Sequence, residues 1–73
     1  MTLLLAAEIF RDAADDNDVV DTDRVIAVFA QKDIDMGFVV DLVQEGVVAR
    51  TKDDLRIKRE QIDALIASIQ VAE

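Results

Sequence analysis

Residues 38–57 read FVVDLVQEGVVARTKDDLRI, and this stretch decides the fold. Its first half places apolar residues at helical spacing and ends at Gly46, a residue suited to the left-handed position that stops a helix. Its second half alternates on both sides of a four-residue polar run, as two strands joined by a turn do. The stretch predicts a helix from Met36 to Glu45 and then a β-hairpin that pairs Val47–Arg50 with Leu55–Lys58.

A competing interpretation of the same stretch is a helix that begins at Thr51. Thr51 and Asp54 have the spacing of a capping box, and no residue after them forbids a helix. Leu55 and Ile57 argue against it, because residues two apart lie about 200° apart around a helix but on one face of a strand. The alternation therefore favours the hairpin.

Three further helices are predicted around this stretch. The first runs from Leu3 to about Ala14 with Thr2 as its cap, and the second from about Asp23 to Gln31 with Thr22 and Asp23 at the capping position. Between them, the β-branched pair Val19–Val20 predicts a minimal strand. Asp35 is suited to cap the helix that starts at Met36, and the last helix covers Arg59–Val71.

Helical spacing also predicts which side chains form the core. Phe29 and Leu42 are expected at its centre, and the second helix is apolar enough to be largely buried. The predicted inward faces of the four helices are Leu5, Ala6, Ile9, Phe10 and Ala13; Val25, Ile26, Val28 and Phe29; Phe38, Val39, Leu42 and Val43; and Ile62, Leu65, Ile66 and Ile69.

Length and composition predict one small folded domain over residues 1–73. Hydrophobic residues make up 52% of the chain, with two Gly and no Pro, so there is material for a core even though a chain this short buries only about 60% of its unfolded surface. The fold class expected is α+β and mostly helical. No apolar run reaches the length of a membrane span, and Met1–Ala7 lacks the pattern of a signal peptide, so we expect a cytoplasmic protein without membrane contact.

The net charge of −8 is unevenly distributed. Up to Val48 there are eleven acidic and three basic residues, whereas five of each follow. Such an acidic body repels nucleic acid and anionic membranes. Solubility or a salt-rich cytoplasm explains the acidity in one interpretation; a surface that binds a basic partner or imitates nucleic acid explains it in another.

The order helix, short strand, helix, turn, helix, hairpin, helix resembles a winged helix-turn-helix domain over nearly the whole chain. The most specific part is Phe38, Val39 and Leu42 before Gly46 with the valine pair 47–48 after it. The resemblance implies that the helix Met36–Glu45 is the recognition helix and that Arg50–Lys58 is the wing. No particular family within this superfold is indicated.

The predicted recognition helix departs from those that read DNA, which offer Arg, Lys, Asn, Gln or Ser near their start. Here the outward positions include Asp41 and Glu45, and only Gln44 suits base recognition. Winged-helix domains without basic recognition helices resemble protein-binding modules. The sequence therefore predicts a non-enzymatic regulatory or adaptor domain with a protein partner, and a homodimer stays open. The alternative is a transcription regulator that contacts DNA mainly through its wing.

Candidate partner-binding residues lie on this helix and on the hairpin. Met36 and Val40 are apolar residues expected at the surface, where they would form a small binding patch with Gln44 beside them. The hairpin carries the basic cluster, in which Arg50, Arg56 and Lys58 are expected to project together from one solvent face. Edge strands also carry charges simply to prevent aggregation. The tentative set is Met36, Val40, Gln44, Arg50, Lys52, Arg56 and Lys58.

Catalytic and metal chemistry have little support in the sequence. Without His, Cys or Tyr, the chain lacks most nucleophiles and every side chain that normally titrates near neutral pH, so no enzyme, cofactor or metal site is expected. The six aspartates between Asp12 and Asp23 raise the question of calcium. They match an EF-hand loop poorly, because Asn17 stands where glycine belongs and Asp23 where a bidentate Glu belongs. A degenerate EF-hand-like pair, with Val19 facing Ile57, is the alternative fold.

Overall fold

A computed structural model describes residues 2–72 and contains the predicted helices and hairpin. The fold is α+β and mostly helical, and its layout is compatible with a winged-helix arrangement. Within the described residues, no helix combines the length and apolar character that a bilayer crossing requires. In chain order the elements are α1 (Thr2–Ala13), α2 (Thr22–Gln31), α3 (Gly37–Gln44), β1 (Val48–Arg50), β2 (Leu55–Ile57) and α4 (Arg59–Ala72).

The hairpin is confirmed, and its antiparallel register places Val48 opposite Ile57. Thr51 and Asp54 bond to each other across the turn: the Thr51 hydroxyl donates to the Asp54 carbonyl at 2.8 Å and accepts from the Asp54 amide at 3.0 Å. The spacing that resembled a helix cap therefore closes the turn. The alternative interpretation, a helix that begins at Thr51, is wrong.

The minimal strand at Val19–Val20 is also confirmed, as two isolated bridges, one from Val20 to Ala14 and one from Val19 to the hairpin. Val19 bridges to Arg56 in antiparallel orientation, the Val20 amide donates to the Leu55 carbonyl at 2.8 Å, and the Ile57 amide donates to the Asp18 carbonyl at 2.9 Å. Strand β2 thus lies between β1 and this short segment. The sheet ties the loop after α1 to the hairpin.

Helix α1 packs against α2, α3 and α4 and so lies at the centre of the molecule. Ala6 and Ala7 are completely buried, and their small side chains let neighbouring helices approach closely. Phe10 meets Phe29 of α2 edge to face, with ring centroids 6.0 Å apart and planes at 86°. Aromatic pairs favour this geometry because the positive edge of one ring meets the negative face of the other.

The predicted inward faces are largely correct, with two exceptions. Ile26 is 52% exposed although α2 was expected to be largely buried, and Leu5 of α1 lies at the surface at 36%. Only Val25 and Phe29 of α2 reach the buried core, because a helix that packs against one neighbour buries one stripe. Buried throughout are Ala6, Ala7, Ile9, Phe10, Ala13, Val20, Val25, Phe29, Ile34, Leu42, Val47, Val48, Ile57, Ile62 and Ile66.

The helix N-termini differ from the predicted caps by about one residue. Asp21, rather than Thr22 or Asp23, caps α2, and its carboxylate accepts from the Arg24 amide at 3.2 Å. Asp35 accepts from the Gly37 amide at 2.7 Å, so it does satisfy a free amide at the start of α3. The cap proposed at Thr2 rests on a side chain outside the described part of the structure.

The C-termini of α2 and α3 share one geometry. After α3, Gly46 has φ +78°, its amide donates to the Val43 carbonyl, and the next amide, that of Val47, reaches back to Leu42 at 3.2 Å. These are the bonds of a Schellman motif. After α2, Asp33 takes the equivalent position with φ +56°. Gly46 thus ends its helix as predicted, while an aspartate adopts the left-handed conformation at the other.

Replacing Asp33 by glycine is expected to stabilise the protein. A side chain in the left-handed region costs roughly 1–2 kcal/mol in the general case and less for Asp, so we expect a gain of about 0.5–1 kcal/mol in the free energy of unfolding. Urea denaturation measures it. Asp33→Ala removes the same charge but keeps a β-carbon, so it isolates the backbone term. If Asp33→Ala matched or exceeded Asp33→Gly, repulsion rather than backbone strain would dominate at this site.

Candidate functional site: the groove between the third helix and the hairpin

The exposed face of α3 carries the apolar residues that the sequence singled out. Val40 is 56% exposed and Met36, which precedes the helix in α-helical conformation, is 46% exposed. Met36, Val40 and Gln44 are spaced four apart, so they form one stripe along the helix. Val40 and Gln44 therefore do point away from the core, as predicted. Asp41 is about 100° further round the helix from Val40.

The hairpin register separates Arg50 from the other cations of the hairpin. Arg50 pairs with Leu55, and paired residues of an antiparallel ladder share a face of the sheet. That face also carries the buried pair Val48 and Ile57. Arg56 lies on the opposite face. The expectation that Arg50 projects together with Arg56 and Lys58 is therefore wrong, and Arg50 instead extends the inner face of the hairpin beyond the core.

A groove of about 390 Å³ separates this end of the hairpin from α3. We call it the α3–hairpin groove, and its lining residues are Val39, Val40, Val43, Arg50 and Leu55. Three of these residues are half-buried and pack against the edge of the core, namely Val39, Val43 and Leu55. The other two, Val40 and Arg50, are exposed at the rim of the groove. An aliphatic floor with one cation at its edge thus lies open beside the exposed stripe of α3.

Of the seven candidate residues, the structure brings two into this groove, Val40 and Arg50. Met36 and Gln44 continue the α3 stripe on either side of Val40. Lys52 lies in the hairpin turn, and Arg56 and Lys58 are exposed along β2 and just after it. Sequence reasoning missed Val39, Val43 and Leu55 as site residues because their apolar character had already assigned them to the core. The register of the hairpin was the signal that Arg50 and Leu55 lie together.

Within residues 2–72, the cations that form ion pairs are Arg11 and Arg59. Arg59 meets the Asp18 carboxylate at 2.9 Å through both Nε and one terminal nitrogen, and Arg11 reaches Asp63 at 3.4 Å. Arg50 makes no ion pair with any described carboxylate. Its guanidinium is therefore available to a partner, whereas the Arg59 side chain anchors the acidic loop to the start of α4.

The acidic loop after α1 is organised by its own hydrogen bonds. The Asp15 carboxylate accepts from the amides of Asn17 and Val19 at 2.8 and 3.0 Å, and Asp18 adopts φ +65° while its carboxylate holds Arg59. Two of the aspartates are thus engaged in shaping the loop. In the described part of the chain, no three acidic side chains converge in a geometry suited to a metal ion.

No protein-family model, curated protein or solved structure matches the chain.

Proposed function

We propose that this chain is a non-enzymatic adaptor or regulatory module of winged-helix type that binds a protein partner in the α3–hairpin groove. The observation that carries the proposal is the coincidence of an aliphatic groove with the most exposed apolar residue of α3, Val40. Helix positions that face solvent are ordinarily polar, and a contiguous exposed apolar surface marks an interaction site.

The chemistry of α3 supports a protein partner. Residues 37–44 contain no Lys or Arg, and Asp41 and the neighbouring Glu45 are exposed. A helix entering the major groove would bring these carboxylates towards phosphates, where like charges repel. The centre of a protein interface, by contrast, is depleted of charged residues and more apolar than the surrounding surface.

Val40→Glu is expected to abolish capture of the partner without unfolding the protein. Val40 is more than half exposed, so its replacement leaves the core intact, while a carboxylate in an apolar contact must lose its water without compensation. The tagged chain would be used as bait in an extract of its native host. We expect retention of its partner to fall about tenfold or more, the effect of removing a central interface residue.

Ile26→Glu is the matched control. Ile26 is 52% exposed on α2, so the variant introduces the same charge at a comparably exposed helical position that does not line the α3–hairpin groove. Circular dichroism would establish that both variants are folded. If the Val40 variant captured as much partner as wild type, the groove would not be the binding site. If wild type retained no protein at all, the proposal of a protein partner would fail.

DNA binding through the wing is the second candidate, and it rests on one observation. Lys52, Arg56 and Lys58 are exposed on the hairpin and form no ion pairs within the described residues. A gel-shift at two salt concentrations tests it, because a protein that neutralises phosphates loses affinity steeply as salt rises. A shift at low salt that is lost in Arg56→Glu combined with Lys58→Glu would favour this candidate.

A further inference from the structure

We infer that the α3–hairpin groove selects a partner segment that carries an aliphatic side chain next to a carboxylate, with Arg50 as the residue that determines this specificity. The inference rests on the proposed function, since it names the chemistry of the segment that occupies the same groove. The aliphatic side chain lies on the valines of α3, and the carboxylate meets the Arg50 guanidinium at the rim.

The shape and lining of the groove set the first half of this requirement. Its volume of about 390 Å³ lies within the range of ordinary ligand sites, and four of its five lining residues are aliphatic. A branched apolar side chain displaces water from these surfaces, whereas a polar one would lose hydrogen bonds on entering. The occupant therefore presents an aliphatic group to Val40 and Leu55.

Arg50 determines the second part of the requirement, the carboxylate. It is the one charged residue among those lining the groove, it is exposed, and no described carboxylate pairs with it. A guanidinium offers planar, forked donors that match a carboxylate in a two-pronged hydrogen bond. Leu55 faces it across the hairpin, so a carboxylate bound here lies beside the apolar floor. The aliphatic floor and the Arg50 guanidinium therefore lie close enough for two neighbouring side chains of one peptide segment to contact both.

The charge of the surroundings agrees with an acidic occupant. Residues 48–58, the hairpin and the lysine that follows it, contain four basic and two acidic side chains, a net charge of +2 in a chain whose total is −8. The hairpin is therefore the part of the molecule that attracts a carboxylate, while the rest of the body attracts cations. Asp41, the nearest acidic residue along α3 to Val40, projects about 100° away from it.

Two blocked pentapeptides provide the test, acetyl-Ser-Ile-Ser-Glu-Ser-amide and the same peptide with Lys in place of Glu. Each is titrated at millimolar concentration into the isotope-labelled full chain, and the methyl signals of Val40 and Leu55 are followed by NMR. We expect wild type to bind the Glu peptide about two- to fivefold more tightly than the Lys peptide, the effect of one exposed ion pair. Arg50→Glu is expected to reverse this preference.

Lys32→Glu is the control, because it makes the same change of charge on the segment after α2 and outside the groove. The expected result is that this variant keeps the wild-type preference for the Glu peptide. Equal binding of the two peptides, a preference that survives Arg50→Glu, or no shift of the two methyl signals with either peptide would each overturn the inference. If one of these results were obtained but capture of a partner from the extract still depended on Val40, the inference would fail and the proposed function would stand.

Discussion

Phe29→Ala is expected to lower the free energy of unfolding by about 3–5 kcal/mol, the usual effect of removing a fully buried phenylalanine ring. Phe29 has no solvent exposure and its ring meets that of Phe10 edge to face. A domain of 73 residues has a total stability of about 4–11 kcal/mol. The loss is therefore a large share of the whole, and we expect little folded protein at physiological temperature. Thermal and urea denaturation measure it.

Phe38→Ala is the control for this result, because it removes the same ring from a half-buried position on α3. The cavity and transfer terms both scale with what is buried, so its cost should be clearly smaller. In a double-mutant cycle of Phe10→Leu and Phe29→Leu, which keeps aliphatic bulk at both positions, a coupling of about 0.5–1.5 kcal/mol is expected from the ring pair. An unchanged melting temperature for Phe29→Ala would show that the inward face of α2 is misassigned.

The elements of the fold were predictable because local signals agreed with one another. Gly46 marks the end of α3 and has the left-handed backbone that its position requires. The alternation of Leu55 and Ile57 decided against a helix, and the Thr51–Asp54 pair, ambiguous by spacing alone, closes the turn. Where two local interpretations competed, the period of the apolar residues was the stronger evidence.

The burial of particular side chains was harder to predict, since it depends on which neighbour each helix meets. Ile26 and Leu5 are apolar at positions that helical spacing places near the core, yet both lie at the surface. The sequence also does not predict that α1 lies at the centre of the packing. Ala6 and Ala7 are both completely buried, but alanine is only weakly hydrophobic and gives little indication of burial. Small residues matter here for how closely helices approach, and composition does not report that.

The candidate site was predictable in part. The sequence identifies both Val40 and Arg50 as candidates, but its charge pattern groups Arg50 with Arg56 and Lys58 on the outer face of the hairpin. The predicted pairing of the strands already placed Arg50 opposite Leu55, and paired residues share a face. That register places Arg50 on the same face of the hairpin as Leu55, which lines the groove with the valines of α3. To predict the groove itself, one must know the angle at which α3 packs on the hairpin, and no local sequence pattern specifies that angle.

Leu42→Ala is expected to lower the free energy of unfolding by about 2–5 kcal/mol, the range for deleting a buried leucine. Leu42 is fully buried on the inner side of α3, and its carbonyl accepts the Val47 amide in the Schellman motif that leads into β1. Its side chain thus seats the helix at the point where the chain turns into the hairpin. Urea denaturation measures the loss, and Val40→Ala, on the exposed side of the same helix, should change stability by less than about 0.5 kcal/mol.

Variants of Leu42 and Val40 distinguish the packing of α3 on the core from the binding of a partner by its exposed side. If Leu42 acts only through packing, Leu42→Ala should reduce partner capture in proportion to the fraction of protein that has unfolded, and conditions that restore folding should restore capture. Val40→Glu should remove capture while the fraction folded stays near that of wild type. Loss of capture by fully folded Leu42→Ala would instead mean that a shift of α3 against the hairpin is enough to close or distort the groove, since the core and the groove lie on adjoining sides of one helix of eight residues.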